Sequence, residues 1–550
     1  MNHTQSHIVN HYEDFLQHFN NKDKIIEIDG NTLTIKGLYK LGYEDYKIKL
    51  SKTSEEKVQK ARNVVENVIK DNKVVYAITT GIGKFATTTI PKENLNMLQL
   101  NIIRSHSAGV GDPLSIANTK MLFALRINVL AKGYSGITLE TLEKYIDAFN
   151  RNLLPYVPEQ GTVGASGDLC PLAHLALGLI GEGLMWNFKE NRWSEAIDIL
   201  KENDYEPIQL KTKEGIALIN GTCFIAALGC EALYRAEKLA IQATIISAIT
   251  LECLKGSYKA FSANIQDLRP YHGQKMIASL LRDLLISENN PSLIGISHTS
   301  CKKVQDSYTL RCIPQVHGIV IDTINFVKNI LTIEINCGTD NPLVLPDTGE
   351  IISGGNFHGE YPAKALDYLA IAIHEISSIS ERRIERLVNT DLSHLPPFLA
   401  PDGGLNSGFM MAHVTAASLV SENKVLCHPS SVDSLSTSAS KEDHVSMGGF
   451  SARKALKIVA NVENVLAIEL LACCQALEFL RPLKSTTPIE AVHSFVRQHI
   501  KKLDMDRPMW KDIEIARNIL RRGEILDLMK PLLKSYNDFD LDYQKYLENR

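Results

Sequence analysis

The sequence lacks the cysteine patterns of metal-binding or redox modules. Its ten cysteines among 550 residues include no Cys-x-x-Cys pair, so a zinc ribbon and a thioredoxin motif are excluded. Most of them lie in apolar runs, such as the run that holds Cys473 and Cys474, where a cysteine usually serves as a small buried hydrophobic residue. Reduced thiols of this kind favour a reducing compartment.

Neither sign of charge is in excess, and long apolar runs are absent. The 59 Lys and Arg residues against 63 Asp and Glu residues give a net charge of -4, which leaves no electrostatic footprint for a polyanion. The apolar stretch 239–254 is interrupted by Gln242 and Glu252, and residues 1–7 are polar, unlike a membrane span or a secretory signal. We therefore expect a soluble cytoplasmic protein that binds neither nucleic acid nor a membrane.

Strand signals are few and short, whereas helical patterns are long. Residues 25–28, 33–35 and 74–78 read as brief strands, too few for a doubly wound sheet. A capping box at Thr53 and Glu56 predicts a helix over 53–70. Two much longer helices are predicted over 361–388 and 452–480. The fold class is therefore expected to be mainly α, with a bundle of long helices.

Composition and pattern divide the chain into four parts. Residues 1–24 read as a flexible leader and residues 25–220 as a smaller N-terminal region. Residues 221–515 hold the long helices, and a charged tail covers 516–550.

Three motifs are rejected. The segment from Thr80 to Lys84 lacks the glycine spacing and the Ser or Thr of a phosphate loop. His374 and Glu375 begin like a zinc-protease motif, but Ser378 stands where the second histidine should be. The run Gly164-Ala-Ser-Gly-Asp has its second glycine one place too early for a hydrolase nucleophile elbow. No metal site and no nucleotide site are therefore expected.

The run from Gly161 to Pro171 is the strongest candidate for chemistry. It precedes an apolar helical stretch, Asp168 is a natural N-cap, and Pro171 falls in the first turn. Ala165, Ser166 and Gly167 should then lie at a helix N-terminus, where the backbone dipoles give a partial positive charge. On composition alone, a glycine-rich turn into a buried helix is the favoured interpretation of this run.

This run and six further blocks resemble the aromatic amino acid ammonia-lyase family, over about residues 25 to 515. The blocks are Tyr-Ala-Ile-Thr-Thr-Gly at 76–81, Ser-His-Ser-Ala-Gly at 105–109, Ile-Asn-Gly-Thr at 219–222, Val-Gln-Asp-Ser-Tyr-Thr-Leu-Arg at 304–311, Ser-Gly-Gly-Asn-Phe-His at 353–358 and Glu-Asp-His-Val-Ser-Met at 442–447. The resemblance implies a fumarase/aspartase-like helical bundle and homotetramers whose pockets draw residues from three chains.

The resemblance also implies a cofactor made from the chain itself. In the family, Ala-Ser-Gly cyclises with loss of two waters to 4-methylidene-imidazol-5-one (MIO), which here would arise from Ala165, Ser166 and Gly167. Glycine leaves room for the compressed backbone, and the serine hydroxyl is lost to give the methylene. No external cofactor is expected.

Further residues take roles by the same resemblance. Tyr76 matches the proposed general base, with Tyr308 as the second candidate, and Asp168 is expected to support ring formation. Substrate contacts are expected from Asn220, Gln305, Arg311 and Phe357. Gln305, Tyr308 and Arg311 are three residues apart, so they would share one face of a helix. Arg311 would hold the substrate carboxylate through its guanidinium fork.

The substrate is expected to be L-histidine, deaminated to trans-urocanate and ammonia as the first step of histidine degradation. His106 can hydrogen-bond a polar ring, and Glu442 can accept from an imidazole N–H; Met410 would line the same side. Two departures, Ala77 and Ile82, lie on the tyrosine-bearing loop, where the family usually has Gly and Phe. A tyrosine ammonia-lyase, an aminomutase and a catalytically silent helical scaffold are the alternatives.

Overall fold

The computed structural model describes residues 24–300 and 303–534, and these residues are mainly helical, as predicted. In this part of the chain there are 21 α-helices: α1 Ile35–Tyr43, α2 Lys52–Lys70, α3 Leu95–His106, α4 Ile116–Ala131, α5 Leu139–Asn150, α6 Leu169–Leu179, α7 Ala196–Glu202, α8 Glu214–Ile219, α9 Cys223–Cys253, α10 Ala263–Asp267, α11 His272–Leu285, α12 Leu293–Ser297, α13 Tyr308–Arg311, α14 Ile313–Glu334, α15 Glu360–Val388, α16 Thr390–Ser393, α17 Met410–Leu426, α18 Gly448–Glu478, α19 Thr487–His499, α20 Trp510–Arg522 and α21 Glu524–Met529.

The strands of the described residues form four separate two-stranded sheets. The pairs are β1 Ile25–Ile28 with β2 Lys47–Leu50, β3 Val110–Pro113 with β4 Pro158–Gln160, β5 Leu184–Asn187 with β6 Arg192–Glu195, and β7 Leu343–Leu345 with β8 Glu350–Ile352. The first pair is parallel and the others are antiparallel.

Two of the predicted strands are wrong because local side-chain hydrogen bonds decide those segments. In 33–35, the Thr34 hydroxyl accepts from the Gly37 N–H and caps α1, so helix begins at Ile35. In 74–78, the Thr79 hydroxyl accepts from the Val75 N–H and folds the segment into turns. Threonine hydroxyls favour such caps and turns over strand pairing.

The predicted helices are confirmed, with a shift of the cap of α2. The cap is Ser51 rather than Thr53, since the Ser51 hydroxyl accepts from the Ser54 N–H at 3.2 Å. The two long predicted helices are α15 and α18, at 29 and 31 residues. A third, α9, is also 31 residues long and is buried on nearly every side; it therefore shows no polar stripe by which its full length could be read from the sequence.

The described chain divides into two compact units. The first contains the described residues up to Glu231 together with Asn329–Asp367 and Pro429–Arg453. The second contains Ala232–Lys328, Tyr368–His428 and the described residues from Lys454 onward. The leader expected at 1–24 lies almost wholly outside the described residues. Of the charged tail expected at 516–550, residues 516–534 are described and contain the end of α20 and all of α21, whereas 535–550 lie outside the described residues.

One helix of the described residues, α14, is as long and apolar as a membrane-spanning helix. Its side chains Val320, Ile321 and Ile324 are fully buried in the protein interior. A core helix of a globular protein can have the same length and composition, so this one helix is only weak evidence for a membrane span.

Candidate functional site

One cavity of the first unit brings together six of the residues expected at the site. It has a volume of about 990 Å³ and lies entirely within that unit. Its lining includes Tyr76, His106, Ser166, Asn220, Phe357 and Glu442. These residues are separated by up to 366 positions in sequence, since they run from Tyr76 to Glu442. The fold therefore assembles one polar site from the scattered motifs.

The Ala-Ser-Gly segment is held in a compressed conformation beside Gly221. Gly167 has φ +77°, and a Cβ on it would come within 2.2 Å of the Gly221 carbonyl oxygen. That carbonyl also accepts from the Asp168 N–H at 2.6 Å. A side chain at position 167 is therefore excluded both by backbone conformation and by space.

Asp168 caps a helix, but not the one expected. It stands at the N-cap position of α6 without a side-chain cap bond there. Its carboxylate instead accepts from the N–H groups of Phe224 and Ile225, at 2.9 and 3.0 Å, in the first turn of α9. Complete burial raises the pKa of Asp168 to about 7, with these hydrogen bonds and one from Thr162 opposing the effect.

Three helix N-termini meet the segment. Besides α6 and α9, helix α18 begins at Gly448, just after two contacts with the run. The Met447 N–H donates to the Val163 carbonyl at 2.8 Å, and the Ser446 hydroxyl donates to the Gly164 carbonyl at 3.0 Å. Each N-terminus contributes a partial positive charge, so the site is suited to stabilise negative charge that develops near Ser166.

Glu442 contacts Ser166 directly. The Ser166 hydroxyl donates to Glu442 Oε1 at 2.7 Å, and the Thr437 hydroxyl donates to Glu442 Oε2 at 2.8 Å. Thr437 and Glu442 flank a left-handed turn, Ser438–Ser440, in which all three residues have φ between +51° and +61°. Such a turn costs energy in each non-glycine residue, and it fixes the direction of the carboxylate.

His106 presents one defined nitrogen to the cavity. Its Nδ1 lies 2.8 Å from the Ile102 carbonyl oxygen, one helical turn earlier in α3. Since a carbonyl can only accept, Nδ1 carries the proton in this contact. The neutral ring then keeps Nε2 as an acceptor for a ligand.

Tyr76 lies on a strained loop. Its phenolic oxygen accepts from the Gly83 N–H at 3.2 Å, which holds the ring against the turn Gly83–Phe85. The next residue, Ala77, has φ +57°. Glycine adopts that conformation without strain, which suits the glycine that the family resemblance leads us to expect at this position. Ile82, on the same loop, lines the cavity.

Asn220 keeps a free acceptor. Its side-chain Oδ1 is buried without a partner among the described residues, while its Nδ2 donates to the Asn341 carbonyl at 3.5 Å. The backbone carbonyl of Asn220 accepts from Arg126 at 2.6 Å. A buried unpaired acceptor is costly, so this amide is arranged to receive a donor from a ligand.

Four expected residues lie in the second unit and do not line this cavity. They are Gln305, Tyr308, Arg311 and Met410. Tyr308 is 70% exposed, and the Arg311 guanidinium lies 4.7 Å from its ring centroid. The expectation of one shared helix face is wrong for Gln305, because α13 contains only Tyr308–Arg311 and Gln305 precedes it.

Sequence reasoning missed several polar lining residues, among them Lys84, Asn341 and Lys441. Lys84 ends the segment that was rejected as a phosphate loop, and Lys441 precedes Glu442. Apart from their place beside these segments, no sequence pattern marks Lys84 or Lys441 as a site residue. Among the described residues, no group of three or more His, Cys, Asp and Glu side chains is placed to hold a metal ion.

Comparison with known proteins shows which family and fold this chain shares. The model of the family described as aromatic amino acid lyase matches residues 33–498. Human histidine ammonia-lyase is 60% identical over 514 residues, which cover 94% of this chain and 78% of the relative. The crystal structure of histidine ammonia-lyase from Trypanosoma cruzi is 51% identical, with a TM-score of 0.87, covering 94% of this chain and 97% of that one.

A tyrosine aminomutase from Streptomyces globisporus is also similar. It is 35% identical, with a TM-score of 0.86, and the match covers 92% of this chain and 99% of that one. The mainly helical fold is therefore shared by relatives that act on different substrates. The extent of the family match and the identity to its members show that this chain belongs to the aromatic amino acid lyase family.

Proposed function

We propose that this protein is a histidine ammonia-lyase, a carbon-nitrogen lyase that converts L-histidine to trans-urocanate and ammonia. One observation carries the proposal: the cavity that contains Ser166 also contains His106 and Glu442. The identity of 60% to a histidine ammonia-lyase supports the same substrate. The reaction removes the α-ammonium and a weakly acidic β-proton, so the site must bind the ring, hold the amine and take the proton.

Ala165, Ser166 and Gly167 fit the MIO group. The room at Gly167 admits no side chain, and its φ of +77° suits a tightly turned backbone. Ser166 lines the cavity beside three helix N-termini. The MIO group would supply the electrophile for the substrate amine, in a setting that stabilises negative charge. Asp168 supports ring closure by tying the segment to the start of α9.

His106 and Glu442 recognise the imidazole ring. The neutral His106 ring offers Nε2 as an acceptor, and Glu442 offers a carboxylate. An imidazolium has two N–H donors, so two acceptors match its charged form. A positive ring withdraws electrons from the β-carbon, which makes the β-proton easier to remove. Phe357 supplies an apolar wall of the same cavity.

Tyr76 is the better placed of the two candidate bases. It lines the cavity and its oxygen is fixed by the Gly83 N–H, as a general base within reach of substrate requires. Tyr308 is largely exposed in the single chain and does not line this cavity, so it would act only from a neighbouring subunit. The free Oδ1 of Asn220 accepts a hydrogen bond from the substrate amine.

The remaining contacts come from neighbouring subunits of a homotetramer. Four expected residues do not line the cavity of a single chain: Gln305, Tyr308, Arg311 and Met410. The role expected for Arg311, to bind the substrate carboxylate, therefore requires that it reach the cavity of another subunit. Three rows of exposed apolar residues on long helices support the assembly, since a monomer in water rarely exposes such rows. They are Ile319, Phe326 and Ile333 on α14, Tyr361, Tyr368 and Ile371 on α15, and Met411, Val414 and Val425 on α17.

A tyrosine aminomutase is the second candidate, because a solved enzyme of that name has the same fold at 35% identity. The carboxylate of Glu442 favours histidine, since a phenol offers it a single donor and no positive charge. The products separate the two functions.

The experiment incubates the purified protein with L-histidine or L-tyrosine and identifies the products by ultraviolet absorbance and chromatography. We expect urocanate from histidine, and neither coumarate nor β-tyrosine from tyrosine. Ser166→Ala should fold yet lose at least about a thousandfold in kcat, because the electrophile is gone, whereas exposed Ser436→Ala should keep full activity. Absence of urocanate would refute the proposal, and absence of any product would favour a silent scaffold.

A further inference from the structure

The contact between Ser166 and Glu442 points to a second task for this carboxylate. Among the described residues, Glu442 is the one side chain recorded in a hydrogen bond with the Ser166 hydroxyl, at 2.7 Å. Ring formation requires that hydroxyl to leave. We propose that Glu442, held by Thr437, is a positioning residue for formation of the MIO ring, in addition to its contact with substrate. This inference rests on the proposed function.

The carboxylate is rigidly held from its other side. The Thr437 hydroxyl donates to Oε2, and the Thr437 N–H donates to the Glu442 carbonyl at 2.9 Å. The left-handed turn Ser438–Ser440 joins the two residues and is itself strained. Strain is retained where the surrounding structure enforces it, and here it aims Oε1 at Ser166.

Formation of the MIO ring has two steps, and the direction of the Ser166 hydroxyl matters in both. The Gly167 nitrogen forms a bond to the Ala165 carbonyl carbon and gives up its hydrogen. The carbonyl oxygen leaves as the first water with this hydrogen and that of the Ser166 N–H, so a C=N double bond forms between the Ala165 carbon and the Ser166 nitrogen. Ser166 then loses its hydroxyl together with its Cα hydrogen as the second water, which creates the Cα–Cβ double bond. No oxidant, reductant or external reactant is consumed.

The hydrogen bond to Glu442 serves both steps. It turns the Ser166 hydroxyl towards the cavity, so that the hydroxyl does not compete with the Gly167 nitrogen for the Ala165 carbonyl. It also keeps an acceptor oxygen beside the departing hydroxyl. Such an acceptor holds the hydroxyl in this direction until it leaves, together with the Cα hydrogen, as neutral water.

The two tasks of Glu442 require different chemical properties of the side chain, so different substitutions can separate them. Holding the serine hydroxyl requires an acceptor oxygen, which an amide also has, whereas favouring an imidazolium requires negative charge. Glu442→Gln should therefore keep most of the ring formation and lose turnover of histidine. Glu442→Leu should lose both.

The test measures the intact mass of freshly synthesised full-length protein over time, with no substrate present. We expect the wild type and Glu442→Gln to lose two waters, and Glu442→Leu to do so at least about tenfold more slowly, a factor equal to about 1.4 kcal/mol. Asp443→Asn, a neighbouring exposed carboxylate, should match the wild type in mass and in activity. Dehydration of Glu442→Leu at the wild-type rate would overturn the inference.

Thr437→Val provides the same test if Glu442→Leu does not fold. It removes the hydroxyl that holds Oε2 while it keeps the shape of the side chain, so dehydration should again slow by several fold. A wild-type rate in this variant would then overturn the inference. The mass measurement uses no substrate, so it is independent of the substrate assignment. If Glu442 proves unnecessary for ring formation, the assignment to histidine still stands. If the substrate proves not to be histidine, the mass result still stands.

Discussion

Hydrogen-bond donors and acceptors at single residues set the selectivity of the site. His106 Nδ1 donates to the Ile102 carbonyl and also lies 3.0 Å from the Ser105 hydroxyl, so Nε2 is the ring nitrogen left for a ligand. Asp168 is neutralised in part by burial rather than by an ion pair. These two residues therefore give the sharpest predictions at the residue scale.

We predict that His106→Leu lowers kcat/KM for histidine by about a hundredfold, because the ring nitrogen of the substrate is left unpaired in the cavity. Steady-state kinetics on the purified variant measure the effect. His499→Leu is the matched control, since His499 makes the same Nδ1 contact with a carbonyl one turn earlier, that of Phe495, on exposed surface. Equal kinetics for the two variants would contradict the role of His106.

We predict a pH-dependent stability term from Asp168. Its pKa is about 7 in the folded protein against an ordinary value of 3.8. The protonated form is therefore favoured by folding; its stabilising effect is full below about pH 4 and is lost as the pH rises towards 7. Asp168→Asn does not titrate, so its stability relative to the wild type should rise over this window by up to about 4 kcal/mol.

The measurement is the melting temperature of both proteins between pH 5 and pH 8. The difference between variant and wild type should become more positive as the pH increases. A difference that stays constant across this range would show that Asp168 remains ionised in the folded protein.

At the scale of elements, the left-handed turn Ser438–Ser440 stores strain beside Glu442. Ala439 has φ +51° and is exposed, so its methyl group contributes little packing. We predict that Ala439→Gly stabilises the protein by about 0.5–1 kcal/mol, since glycine adopts this conformation freely. Ala86→Gly is the control: Ala86 has φ -56° and should lose stability. Thermal unfolding measures both, and a loss of stability in Ala439→Gly would contradict the strain.

Elements with a clear amphipathic pattern could be predicted from the sequence. Helices α2 and α15 were expected within a few residues, because each alternates buried and exposed faces. Helix α18 was expected as closely, although it has this pattern only up to Asn464 and residues 465–477 are buried on every side. Helix α9 has no such pattern, since packing covers it on all sides. The cap made by Asp168 could not be predicted either, because its carboxylate reaches a helix 55 residues further along the chain, at Cys223.

At the scale of the whole molecule, the site is assembled from distant parts. Six expected residues meet in one cavity, which motif resemblance anticipated but periodicity could not. Lys84 and Lys441 line it without any pattern in the sequence that marks them. Gln305, Tyr308 and Arg311 do not line this cavity, and in the proposed tetramer they would reach it from neighbouring subunits, which no local pattern in the sequence predicts.

We predict that Phe326→Asp disrupts the tetramer. Phe326 is exposed between Ile319 and Ile333 on α14, and a charge buried in an apolar contact between subunits is costly. Light scattering coupled to size-exclusion chromatography should show a smaller species, with at least about tenfold lower activity because the site is incomplete. Ile25→Asp, at an exposed strand position, should remain tetrameric and active. An active monomer in the first variant would contradict the shared site.

The most direct test of the central claim is tandem mass spectrometry of the peptide that contains Ala165, Ser166 and Gly167, isolated from protein with measured histidine turnover. We predict a peptide lighter by two waters, with the loss located at these three residues. A fully linear peptide from protein that still produces urocanate at its full rate would contradict the account.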